Sequence, residues 1–123
     1  MLKKFTVKNF KNFKEALTLD FSRVHDYGFN TQLIRNGLVN KLLIYGPNNS
    51  GKSNLGAAVM DITNHLTSNF GPGNPLYAYY VNGDFIDDVV EFEYELQLQQ
   101  YNIVILFLFQ QQACLLFLYL SYF

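Results

Sequence analysis

The chain has one cysteine, no tryptophan and three prolines. A lone thiol, Cys114, excludes a disulfide framework and every zinc site built from several cysteines. No cation follows Lys52, and no charge of either sign follows Glu95. The first absence counts against a small phosphate-loop kinase, which would need acceptor-binding and lid arginines after its loop. The opening MLKKFTVKNFKNFKE lacks an apolar stretch that would serve as a secretory signal, so the expected location is cytoplasmic. What remains is 123 residues, half of them apolar and 15% charged, the composition of one small globular core or part of one.

A net charge of -1 hides two unlike halves. Nine cations against Glu15, Asp20 and Asp26 leave residues 1–53 at +6, while seven acids with no cation leave residues 54–123 at -7. A basic first half suits polyphosphate or nucleic acid. Lysines gathered in the first fourteen residues equally suit a solvated strand edge, which is the commoner use of such charge. A second break follows Glu95, beyond which the chain contains six glutamines and two dense apolar runs, Ile103 to Phe109 and Ala113 to Leu120.

Period-two alternation predicts strands over residues 2–8 and 16–21, joined by a short polar stretch broken by Phe10 and Phe13. Residues 25–40 are irregular and rich in the turn formers Gly28, Asn30, Asn36, Gly37 and Asn40. The compact apolar run Leu42-Leu43-Ile44-Tyr45 reads as a buried strand ending at Gly46. Leu55, Ala58, Val59, Ile62 and Leu66 share one helical face, which predicts a helix from about Gly51 to Asn69, stopped by Gly71, Pro72, Gly73 and Pro75. Residues 70–84, with Tyr77, Tyr79 and Tyr80, read as a loop. Val90, Phe92, Tyr94, Leu96 and Leu98 alternate with Glu91, Glu93, Glu95 and Gln97, the clearest half-buried strand in the chain.

Gly46-Pro47-Asn48-Asn49-Ser50-Gly51-Lys52-Ser53 fits the pattern G-x-x-x-x-G-K-[ST] at every fixed position. Phosphate binding requires these residue types. Backbone N–H groups must turn inward as an anion nest, so bulky side chains are excluded, and the following helix adds its unpaired N-terminal donors and positive dipole end. Lys52 would bring an ammonium to the β and γ phosphates, and the Ser53 hydroxyl is a hard oxygen that Mg²⁺ accepts. Lys52 is the residue expected to act on the transferred phosphate, and Ser53 the metal ligand.

The start LKKFTVKNFKNFKE, followed by IYGPNNSGKSN, resembles the N-terminal lobe of RecF/SMC-like and OLD-like ABC-type ATPase heads. The resemblance covers residues 1 to about 98. It implies an α/β fold, a P-loop NTPase N-terminal lobe with a mixed sheet around one long helix, incomplete here. It further implies ATP and Mg²⁺ as cofactors, with Gly46, Pro47, Asn48, Asn49, Ser50, Gly51, Lys52 and Ser53 around the triphosphate and Asn54 near the α phosphate. The turn at Lys11 and Asn12 is similar to one that approaches the nucleotide in such heads. Implied partners are DNA and a second ATPase head, in DNA maintenance or defence against mobile elements. Asn49 stands where many such loops have glycine, a position that needs positive φ, and asparagine bears that conformation best among the other residues.

A Walker B strand ending in Asp-Glu and an LSGGQ-like signature are not found in the sequence, so hydrolysis is not expected. Asp87-Asp88 follows a polar segment and reads as a solvated turn. His25 and His65 read as surface or satisfied residues rather than as a switch histidine. The sequence therefore divides into a lobe, residues 1–98, and an uncharged apolar tail, residues 99–123. Three readings of the tail compete: an accidental product of a shifted frame, a transmembrane helix over residues 101–123 spanning about 34 Å, and native sheet strands. Gln110-Gln111-Gln112 at mid-membrane and the lack of flanking cations disfavour the membrane. The rival class is non-enzymatic: a truncated remnant, or a basic nucleic-acid-interaction module with a membrane-associating tail.

Overall fold

A computed structural model of the chain describes residues 1–26, 28–67, 80–85, 88–110 and 113–122. Alternation decides the first elements. β1, Leu2–Lys8, and β2, Leu17–Asp20, pair antiparallel with Phe5 opposite Leu19 and Val7 opposite Leu17. The connection is tightened by a bridge between Phe10 and Phe13, and Phe10 is fully buried. A single 3₁₀ turn, Thr31–Leu33, leads into a small hairpin of β3, Ile34–Arg35, and β4, Leu38–Val39. Asn36 (φ 54°) and Gly37 (φ 74°) make its two-residue turn, the asparagine-glycine pairing that matches the twist of the flanking strands.

β5, Val90–Leu98, lies antiparallel to β1, and β6, Tyr101–Gln110, returns along β5 through Gln99 and Gln100. β7, Ala113–Tyr122, pairs antiparallel with β6, and the sheet order is β2-β1-β5-β6-β7. One face carries Phe5 and Val7 from β1, Val90, Phe92 and Tyr94 from β5, and Ile105, Phe107 and Phe109 from β6, all buried. Two helices contribute to the same core: α1, Lys52–Met60, through Leu55 and Ala58, and α2, Ile62–Thr67, whose His65 stacks on Phe107 at 4.1 Å between centroids. The opposite face sets Lys4, Thr6 and Lys8 beside Glu95, Glu93 and Glu91, which in turn lie beside Val104, Leu106 and Leu108.

This architecture corrects the expected fold class. In place of a mixed sheet around one long helix there is an antiparallel sheet with two short helices against one face. Residues 42–45, expected as the buried strand ahead of the loop, adopt no strand, and Leu43 and Tyr45 are 82% and 86% exposed. A buried strand needs partners for its backbone on both sides, and a parallel partner requires a long crossover. Among the described residues the sheet positions are taken by β5, β6 and β7, joined by connections of two residues, whose closure costs far less entropy. The helix is also shorter than expected. Asp61 (φ -67°, ψ -10°) tightens the step between α1 and α2, which turns His65 inward and leaves Leu66 half-exposed. Residues 68 and 69 lie outside the described residues, as do all but the end of the tyrosine-rich loop. Residues 101–110 and 113–122 are strands, and among the described residues no helix is long and apolar enough to cross a membrane.

Candidate functional site

The loop from Gly46 enters α1 directly, so that helix begins at Lys52 and its first-turn N–H groups open toward the loop. Two residues give the chain its curl. Asn49 takes φ 64°, the left-handed conformation that a non-glycine residue there has to bear, and Gly51 takes φ 90°. At Gly51 the requirement is doubled, because a Cβ would collide with the side chain of Asn12.

Asn12 comes from the turn between β1 and β2, a site fixed by its own hydrogen bonds. Lys11 adopts φ 47°, its N–H donates to the Tyr80 carbonyl at 2.6 Å, and the Asn82 amide donates to the Lys11 carbonyl. Buried Phe10 anchors the turn edge-on against Tyr80 and Phe92. Asn12 thereby reaches the helix start, where the Asn54 amide donates to Asn12 Oδ1 at 2.6 Å. The resulting cleft, about 640 Å³, is lined by Asn12 and by Asn48 through Asn54.

The Lys52 amino group sits over the loop. It donates to the Gly46 and Pro47 carbonyls at 2.7 Å each and to Ser50 Oγ at 3.3 Å. Gly46 to Ser53 are therefore gathered about one cleft with Asn54 at its rim, although Gly46 and Pro47 meet it through Lys52 rather than by lining it. Ser53, on the first turn of α1, is exposed. Among the described residues no group of three His, Cys, Asp or Glu side chains is placed to hold a metal. In phosphate-loop sites Mg²⁺ is held by the loop hydroxyl, a carboxylate, phosphate oxygens and water, so Ser53 matches one of these ligands, and among the described residues no carboxylate lines the cleft beside it.

Asp88 is exposed next to β5, as a solvated turn requires, and Asp87 lies outside the described residues. His65 is a core residue. Its Nδ1 lies 3.3 Å from the Tyr94 hydroxyl, which also donates to the Ala58 carbonyl at 3.0 Å. Burial pushes the imidazole down to about 4, partly opposed by the Asp61 carboxylate, and burial raises the Tyr94 phenol. The Tyr80 hydroxyl donates to Asp61, closing a polar layer between helices and sheet. Among the described residues neither histidine nor tyrosine lines the cleft. The Asn12–Asn54 contact is the part of the site that spacing did not reveal. No protein-family model matches the chain, and no curated protein matches it.

Proposed function

We propose that the chain binds ATP with Mg²⁺ through Gly46 to Ser53, as the ATP-binding element of a RecF/SMC-like, ABC-type ATPase. The observation that carries this reading is the convergence of the Lys52 ammonium, the α1 N-terminus and two left-handed residues, Asn49 and Gly51, on one open cleft. Phosphate oxygens would replace the Gly46 and Pro47 carbonyls as acceptors for Lys52, and the N–H groups of the loop and first helical turn would take the remaining negative charge. Asn54 would approach the α phosphate, and Ser53 would hold Mg²⁺ against the β and γ oxygens.

Turnover is expected to be negligible. Every described residue lining the cleft is an amide, a hydroxyl, glycine or Lys52, so none of them is a general base able to activate water. DNA and a second ATPase head belong to the same proposal as partners. The alternative use of the lysines as solvated surface charge has its own support, on a face rather than an edge because β1 lies between β2 and β5: Lys3 pairs with Glu95, Lys8 with Glu91 and Lys14 with Asp84, at 2.7, 3.9 and 3.6 Å.

The test is thermal unfolding with and without millimolar ATP-Mg²⁺. Binding at 10 to 100 times the dissociation constant adds about 1.4–2.7 kcal/mol, a rise of several degrees in a domain of this size. Lys52→Ala should abolish the rise. No rise, or one that persists in the variant, would support the non-enzymatic reading. Robust hydrolysis lost in Lys52→Ala would refute the expectation of negligible turnover.

A further inference from the structure

Among the described residues the sheet ends in two edge strands, and they are built on opposite principles. β2 is four residues long, carries Asp20 and is followed by the Arg23–Asp20 ion pair. Short length and charge are how proteins keep an edge from pairing with another chain. β7 is ten residues long, and among the described residues no strand lies against its outer edge. From Leu115 to Leu120 its six consecutive large side chains are between 44% and 66% exposed. No charged residue, proline or glycine interrupts it.

We propose that β7 is a homodimer interface, pairing antiparallel with β7 of a second copy about a two-fold axis normal to the sheet. Three observations single out a second copy as the occupant. The first is extent: β7 offers ten residues of unpaired edge, long enough for a full antiparallel ladder, flanked by six consecutive large side chains that are at least 44% exposed. The second is self-complementarity. With Phe117 on the axis, Leu116 meets Leu118 and Leu115 meets Tyr119; with Leu118 on the axis, Leu116 meets Leu120 and Phe117 meets Tyr119. Either arrangement opposes apolar to apolar and sets no charge against its like. The third is continuity. Leu116, Leu118 and Leu120 extend the row of Phe107, Ile105 and Ile103 on the helix-bearing face, so pairing joins the apolar floors of two copies across ten strands.

The interface is independent of nucleotide, and its test is sedimentation of the full chain at tens of micromolar. The expected species has twice the mass of the chain. Phe117→Lys and Leu118→Lys, which place an ammonium on either face of the paired edge, should each weaken the dimer at least about 100-fold, with the far-ultraviolet dichroism unchanged. Thr18→Lys, on the opposite edge, should leave the dimer intact. If the lysine variants lose their dichroism, the readout moves to cysteine. In a Cys114→Ser background, Phe117→Cys should be joined between copies by a short bismaleimide, and Thr18→Cys should not. A wild-type monomer at 100-fold dilution and at tens of micromolar alike, a dimer that survives both lysines, heterogeneous aggregates, or recovery with phosphatidylcholine vesicles instead of as a dimer would each overturn the proposal.

Discussion

β1 and β5 on one side of the sheet, and β6 and β7 on the other, use the same antiparallel hydrogen bonding but are kept in place by different forces. Along β1 and β5 each strand has a buried apolar face and a face of lysine, threonine and glutamate. A slip of one residue would bury those charges, so the pairing register is fixed by side chains. Along β6 and β7 a slip exchanges leucine for phenylalanine or tyrosine, and neither face objects. At the β5–β6 junction the register is held by the two-residue turn at Gln99 and Gln100, with Gln99 at φ 50°. Charge alternation fixes the register of one half of the sheet, and its loss leaves the other half without that constraint.

The sharpest way to separate the halves is to remove a large side chain from each. Phe92, fully buried at the centre of β5, should cost about 3–5 kcal/mol as Phe92→Ala, a large share of the roughly 5–15 kcal/mol that keeps a domain folded. Leu118→Ala, at a half-exposed position, should cost under about 0.5 kcal/mol in dilute protein, read by urea unfolding. Equal losses would show that β7 is as well covered as β5. Acid probes the core of the first half through His65, which stacks on Phe107. Its folded value of about 4 lies below the ordinary 6.5, so the unfolded chain binds the extra proton first. Stability from this group is complete above pH 6.5 and is lost as pH falls from 6.5 to about 4, by up to about 3 kcal/mol. Urea midpoints across that window should fall for the wild type and stay flatter for His65→Leu. The smallest effect belongs to the ionic face: Lys3→Ala should cost about 0.2–1 kcal/mol, diminishing in 1 M salt, because Lys3 and Glu95 are each partly solvated.

The half of the sheet with alternating charge was also the half legible in the sequence. β1, β2 and β5 announce themselves by period two, because a polar residue at every second position can only be a solvated face. Residues 101–122 carry no polar alternation, and a continuous apolar run fits a helix, a membrane span or a strand equally. Leu42 to Tyr45 misled for a related reason: an apolar run says that burial is favourable, not that any other segment is free to supply it. Asn36-Gly37 carried a hairpin signal that composition alone recorded only as turn formers. At the candidate site, the loop residues were readable because they are contiguous. Asn12 reaches Asn54 across 42 residues, and no local spacing encodes that meeting. His65 was displaced into the core by the tightened step at Asp61, which an ideal helical period does not anticipate.

The pairing of β1 with β5 joins Leu2 to Leu96 and Val7 to Phe92, across most of the sheet's covalent path. A ribosome adding about 5–20 residues each second delivers β5 roughly 5–20 s after β1. Through that interval Phe5 and Val7 have a neighbour only in β2, and one margin of β1 stands ready to accept whatever strand arrives first. Lys4 and Lys8, which alternate with those residues, put on that margin the kind of charge that disfavours pairing with another chain, until Glu95 and Glu91 emerge to lie opposite them.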